Sequence, residues 1–404
     1  MPTLNDATDL GAELVDLRHT LHRHPELGLH LPVTQATVLE ALSGLDLEVT
    51  TGTATTSVVA VLRGAAEPAE GRRPVVLLRA DMDALPVTEA MDTDFRSRRD
   101  GLMHACGHDL HTTMLVGAAR LLAARADRLP GDVVFMFQPG EEGFNGAGAM
   151  IDEGVLDAAG RRPDAAWALH VMSSLTARGQ VISRPGPLMA ASNELYVTVR
   201  GAGGHGSAPH RAQDPVPAAC EMVTGLQTVL SRTISPFAPS VLTVGEFHAG
   251  TKANIIPESA RFAATIRCFD DEVLDTLEAV TVRYCQGVAA AHGLSVEARF
   301  ERNYPVTVND AASVDAAAAI VEATLGPNTY QPMPDPIAGA EDFSRVLQAV
   351  PGAMLFLGAC VGDDWQSAAD NHSPFAAFSD EVLPAGAALY TDLAVASLAK
   401  AAGR

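Results

Sequence analysis

At 404 residues, with 47% hydrophobic and 19% charged positions, the chain has the length of roughly two to three domains and a composition too apolar for disorder. A formal charge of −21 and a pI near 4.9 leave little basic surface for phosphate contacts, which excludes nucleic acid and anionic membranes as expected partners. Five scattered cysteines, an acidic N-terminal segment without a basic-plus-apolar leader, and no apolar run near the ~18–20 residues that span a bilayer point to a reducing cytoplasm.

Along the chain, Arg18-His19-Thr20-Leu21-His22-Arg23-His24 is dense in histidine but has no acid or thiol at ligating spacing, so it reads as a structural helix end leading to Pro25. Pro74–Ala80 is a continuous apolar run of the kind found in buried parallel strands, ending in Asp81-Met82-Asp83. Carboxylates at a strand's C-terminal end stand where open α/β sheets place their ligands. Thr112–Ala126 is rich in Ala and Leu and predicts a helix. Just before it, His104-Ala105-Cys106-Gly107-His108-Asp109 offers a thiol and an imidazole two residues apart around a glycine. That spacing does not share a helix face, which places the pair in the loop or first turn. Both side chains can reach one borderline-soft divalent ion. Gly131–Phe137 predicts another strand, delivering Glu141 and Glu142 to the same edge. Of two adjacent carboxylates one can bind metal while the other moves a proton, the pairing that metal-assisted hydrolysis requires. Either motif alone also suits an ordinary buried cysteine or two capping glutamates; their co-occurrence favours the metal site.

A further strand ends near Trp167-Ala168-Leu169-His170. From about Glu194 the order becomes strand (195–200), helix (214–232), strand (241–248), strand (260–269), helix (271–292), strand (294–300), a βαββαβ series. The expected division is therefore a catalytic domain over 1–190 and 301–404, interrupted by a satellite over 191–300. The tail holds two polar loops, Gly339-Ala340-Glu341-Asp342-Phe343 and Asn371-His372-Ser373-Pro374. Cys220, Cys268, Cys285 and Cys360 lie in apolar contexts and read as core.

These segments, with Leu21–Gly28, Ala80–Pro86, Gln138–Gly143 and Gly203-Gly204-His205-Gly206-Ser207-Ala208-Pro209-His210, resemble the M20 metallopeptidase family over nearly the whole chain and in the same order. The nearest resemblance is to the amidohydrolase branch of hippurate hydrolases, N-acyl-amino-acid aminoacylases and auxin-conjugate hydrolases. It implies an α/β fold: a zinc-peptidase-like catalytic domain with a central mixed sheet flanked by helices, and a ferredoxin-like satellite that acts in dimerisation or as a lid. It also implies Cys106, His108, Glu142, His170 and His372 as ligands of two divalent ions, of Zn, Mn, Co or Ni, with Glu141 as general base. Related branches have a metal-binding histidine where this chain has Asp81. Asp83 is then an acceptor that orients a ligand, or a plain strand-end aspartate.

The resemblance further implies that His205 stabilises the oxyanion of a tetrahedral intermediate, often across a homodimer, although a glycine-rich turn also suits a solvent-exposed histidine. His210 either joins it or caps. Asn254 and Arg267 correspond to residues that hold a substrate carboxylate, and a structural salt bridge suits Arg267 equally. Glu341 matches a pocket-lining loop or a helix start. The chain departs from the family at Leu29-His30-Leu31-Pro32, where a glutamate is usual. The expected activity is hydrolysis of N-acyl or N-aroyl amino acids, with a di- or carboxypeptidase, a desuccinylase-type enzyme and a catalytically inactive metal-stabilised binding protein as alternatives.

Overall fold

A computed structural model describes residues 2–68 and 71–403. The chain forms two compact units: one runs through Leu188, Val308–Asp335 and from Asp342 onward, the other comprises Met189–Thr307 and Pro336–Glu341.

In chain order the strands are β1 Glu48–Thr51, β2 Val58–Leu62, β3 Val75–Asp81, β4 Asp132–Gln138, β5 Ala165–Met172, β6 Val181–Ser183, β7 Gly186–Met189 and β8 Ala191–Arg200. There follow β9 Gly204–His205, β10 Ser240–Ala249, β11 Ile255–Ile256, β12 Ser259–Cys268, β13 Ser295–Tyr304, β14 Thr307–Asn309, β15 Tyr330–Pro332 and β16 Gly352–Gly358. The α-helices are α1 Pro2–Asp9, α2 Gly11–Arg23, α3 Pro32–Ala41, α4 His108–Ala123, α5 Gly146–Asp152, α6 Pro215–Thr233, α7 Asp271–Ala291, α8 Ala311–Leu325, α9 Ser344–Ala349 and α10 Leu383–Ala401.

The first unit is built on an eight-stranded sheet in the order β1-β2-β4-β3-β5-β16-β6-β15. Its centre, β4-β3-β5-β16, is parallel, whereas β1, β2 and β6 add antiparallel pairs. Every residue of β3, β4 and β16 is buried. Their sequences run apolar without alternation because helices cover the sheet, with α4 and α10 packed on β3 and on each other. The two neighbours of β3 stop at different points. Its pairing with β4 continues to Asp81↔Gln138, but with β5 it ends at Arg79↔Ala168, so β3 and β5 part before their C-terminal ends. Helix α10 corrects one expectation: by length and composition it is apolar enough to cross a membrane. Here it is a core helix, with Leu383, Ala387, Leu389, Tyr390, Leu393 and Leu398 fully buried.

The second unit has a four-stranded antiparallel sheet, β10-β12-β8-β13, with α6 and α7 between its strands in sequence. With one helix after the first strand and one after the third, this is the split βαβ arrangement. Alternate residues of β8 and β12 are buried, so that Leu195, Val197, Phe262 and Ile266 form one core with Met222, Leu226 and Leu277 of the helices. Strand β13 continues to Tyr304, past the expected limit at 300, and the chain revisits the unit at Pro336–Glu341. Sequence patterning also missed the two-residue pairing of β9 with β11. All five cysteines are free, but Cys220 is exposed on α6, contrary to its expected place in the core.

Candidate metal centre

The sheet's C-terminal edge assembles the site within the first unit. β3 leads into Asp83, β4 into Glu141 and Glu142, β5 carries His170, and the loop after β16 carries His372. His108 is the first residue of α4, preceded by Gly107 at φ +82°. A Cβ on Gly107 would stand 2.3 Å from Val171 Cγ2, so only glycine lets the Cys106 loop lie against β5. His372 also has a left-handed backbone, φ +71°, held by its N–H donating to the Ala105 carbonyl at 2.8 Å. Such a conformation costs a non-glycine residue on the order of 1–3 kcal/mol, and it turns this imidazole toward the thiol.

Cys106 Sγ lies 3.4 Å from His170 Nε2 and 3.3 Å from His372 Nε2, while His372 Nε2 is 3.1 Å from Glu142. Two triads, Cys106/His108/His170 and Cys106/Glu142/His372, each hold their donor atoms within 4.8 Å of one another and share the thiol. His108, Glu141 and Glu142 form a third group of the same size. Among the described residues neither buried ring nitrogen of His108 has a hydrogen-bond partner; Asp83 is 3.5 Å and Asp81 3.7 Å away. A buried nitrogen left so is costly, and a divalent cation among these sulfur, nitrogen and oxygen donors would take up the lone pair of one of the two. The residues therefore fit a metal.

The electrostatics differ from one candidate ligand to the next. Burial pushes His170 well below the ordinary imidazole range, a neutral state suited to ligation. Hydrogen bonding to Cys106 and Glu142 raises His372 to about 10, against the effect of burial. Burial would lower His108, but Asp81, Asp83 and Cys106 outweigh it and hold the ring well above its usual range. Glu142 is pushed up by burial, yet His372 and His108 bring it below the carboxylate norm.

Surrounding groups orient these side chains. Asp83 accepts both the Glu141 and Glu142 backbone N–H groups at 3.0 Å. His170 Nδ1 bonds the Val171 carbonyl at 2.9 Å, which makes Nδ1 the donor and leaves the Nε2 lone pair toward Cys106. Asn371 accepts the Ser173 N–H at 3.0 Å and donates to the Val171 carbonyl at 3.1 Å. In the first turn of α4, Asp109 accepts from Arg18 and His22 at 2.8 Å each, which gives the histidine-dense N-terminal segment a structural part.

In the second unit, the backbone of His205 pairs with Ile255, and its exposed Nδ1 accepts the Ser207 N–H at 3.1 Å. Asn254 is its neighbour, its carbonyl accepting the Gly206 N–H at 2.9 Å. His210 is exposed in a short turn. Arg267 is half-buried on β12, lowered by burial against the pull of Glu194, and donates to the Ile266 carbonyl at 3.2 Å. Glu341 is buried and starts no helix.

Sequence reasoning missed Arg79, His111 and Asn371, and placed Asp81 at the strand end without naming its partners. Arg79 is fully buried, bonding Gln138 at 2.8 Å, Asp81 at 2.7 Å and Asp342 at 3.1 Å. Burial alone would raise Asp81, but Arg79, His108 and His111 hold it well below the carboxylate range. The signal for His111 was present, since it lies three residues after His108, on the same face of a helix.

A model of peptidase family M20/M25/M40 matches residues 77–396. Thermostable carboxypeptidase 2 of Saccharolobus solfataricus is 36% identical over 395 residues, 97% of each chain. N-acetylcysteine deacetylase of Bacillus subtilis is 33% identical over 383 residues, 95% of this chain and 96% of that protein. A solved Bacillus subtilis structure, described as a dinuclear metal binding peptidase from the M20 family, matches with a TM-score of 0.81 at 29% identity, covering 97% and 99% of the two chains.

Proposed function

The chain belongs to the M20/M25/M40 peptidase family and is a hydrolase, and on that premise we propose that it cleaves the amide bond of N-acyl or N-aroyl amino acids to a carboxylic acid and a free amino acid. The carrying observation is the placement of Glu141 beside His108 and Glu142, next to two donor triads that share Cys106. In this reading one triad would hold each of two divalent ions, of Zn, Mn, Co or Ni, which would supply Lewis acidity and make water more acidic.

The protein's own groups do the rest. Asp83 fixes the backbone of Glu141 and Glu142, so that the Glu141 carboxylate is aimed rather than mobile. Glu141 takes a proton from the attacking water as its oxygen bonds the amide carbon. It then delivers that proton to the nitrogen as the C–N bond breaks. We assign His205, supplied by a second copy of the chain, to the oxyanion, a donor worth on the order of 3 kcal/mol in comparable sites. Asn254 and Arg267 would hold the substrate carboxylate, Arg through a bidentate grip, with His210 and Glu341 lining the pocket. The exposed edge strand β10, bearing Val241 and Phe247, is the surface we assign to the homodimer.

Replacing Glu141 by Gln should lower turnover by at least about a hundredfold while both ions stay bound, as read by kinetics and metal analysis. Loss of metal in that variant would make Glu141 a ligand instead. A carboxypeptidase reading is favoured by the identity to the Saccharolobus enzyme. A panel of N-acetyl and N-benzoyl amino acids beside free dipeptides separates the two, and preference for dipeptides would replace our reading.

A further inference from the structure

Where β3 and β5 part, backbone groups that a continuous ladder would pair are left facing a gap, and two side chains fill it. Tyr390 of α10 donates its hydroxyl to the Arg79 carbonyl of β3 at 2.6 Å and accepts the Leu169 N–H of β5 at 2.9 Å. One step further out, the Val171 N–H of β5 donates to His111 Nε2 at 2.7 Å. Because Nε2 accepts, Nδ1 must carry the ring proton, and it donates to Asp81 Oδ1 at the end of β3 at 2.6 Å. The other oxygen of Asp81 is held by Arg79 at 2.7 Å. All of these groups are fully buried.

Val171 is bonded on both sides. Its N–H is fixed by His111, and its carbonyl receives His170 Nδ1 at 2.9 Å and Asn371 Nδ2 at 3.1 Å. The His111 ring also packs edge-on against that of His170, centroids 4.7 Å apart, and lies 5.3 Å from that of His108. One imidazole thus bridges the parted strands, fixes the peptide that orients a second imidazole, and abuts a third.

We propose that His111, held by Asp81, is a positioning residue: it bridges the gap between β3 and β5 and thereby sets the pose of His170 toward Cys106. This inference rests on the assignment of His170 as a ligand. The bridge acts before any ion is bound, so its effect falls on affinity at the Cys106/His108/His170 triad. A change of one such outer partner typically costs 10–100-fold in metal affinity.

The test is titration of metal-free protein with cobalt(II), following the thiolate-to-cobalt absorption band and the number of ions bound, with amide hydrogen exchange at Val171. The variants are His111→Phe, His111→Gln, Asp81→Asn and, as a control, His170→Asn. We expect His111→Phe to weaken one of the two ions by about 10–100-fold, leave the other unchanged and speed exchange at Val171. His111→Gln, which can still accept from Val171 and donate to Asp81, should recover part of the loss. Wild-type affinity for both ions in His111→Phe overturns the proposal, as does equal weakening of both. If His111→Phe fails to fold, His111→Gln and Asp81→Asn must show the weakening of one ion, and wild-type affinities in both overturn it. If His170→Asn still binds two ions as wild type does, the ligand assignment fails rather than the bridge.

Discussion

Residue by residue, the site depends on backbone conformations that few side chains tolerate. Gly107 is the clearest case, since its left-handed φ and the nearness of Val171 act together. Gly107→Ala should destabilise the first unit by about 2–4 kcal/mol, combining the left-handed penalty with overpacking. Urea unfolding checks this, and a change below about 0.5 kcal/mol would show that the Cys106 loop can relax away from β5. The residues legible in the sequence were those whose partners are close in the chain: Cys106 with His108, and Glu141 with Glu142. Arg79 and Asn371 were not, because Gln138 and Asp342 for the one, and Ser173 and Val171 for the other, lie far along the chain, and the same holds for the meeting of Asp81 with His111. Asp83 was implied only by the resemblance, as an acceptor that orients a ligand; its targets, the Glu141 and Glu142 N–H groups, no sequence pattern names.

Among the elements, the buried parallel strands and the βαββαβ series were read closely from patterning, since a strand covered on both faces and one covered on a single face leave different apolar periods. Helix α4 starts four residues before its expected position, because the left-handed Gly107 already turns the chain into its first turn. Helix α10 has the length and composition of a membrane span although no unbroken apolar run of that length marks it in the sequence. Its apolar run is interrupted by Asp392, whose carboxylate accepts the Thr324 hydroxyl at 2.8 Å.

A pH prediction belongs to the loop joining β1 and β2. Glu153, just after α5, accepts the backbone N–H groups of Thr53 and Ala54 at 2.7 Å each, and the hydroxyls of Thr53 and Thr55. Burial pushes its carboxyl up, but bonds from Ala54 and Thr53 outweigh this and bring it below the ordinary value. The ionised form is thus favoured in the folded state. Its contribution is fully present above the unfolded carboxyl pKa, about 4.3, and is lost as pH falls through the depressed folded value. Glu153→Gln should therefore be less stable than wild type near neutral pH, with the gap closing toward about pH 3. Denaturation midpoints at several pH values read this directly, and a gap that does not change with pH rules out the ionised carboxylate as its source.

For the molecule as a whole, the order of strands in space carries a consequence for synthesis. The sheet's neighbours of β16 are β5 and β6, both made long before it, and the entire second unit is translated in between. A nascent chain that has reached β5 must wait for residues up to 358 before that place in the sheet is filled, on the order of 10–40 s at typical elongation rates. Until then β5 and β6 present open edges to the ribosome's surroundings, and His372, 14 residues later still, is missing from the thiol's company. The second unit, with its own core, can complete its sheet meanwhile. Ribosome-bound chains stopped after residue 350 should therefore show a protease-resistant second unit and a cleavable first one. Protection of both at that length would mean that the sheet closes without its central strand.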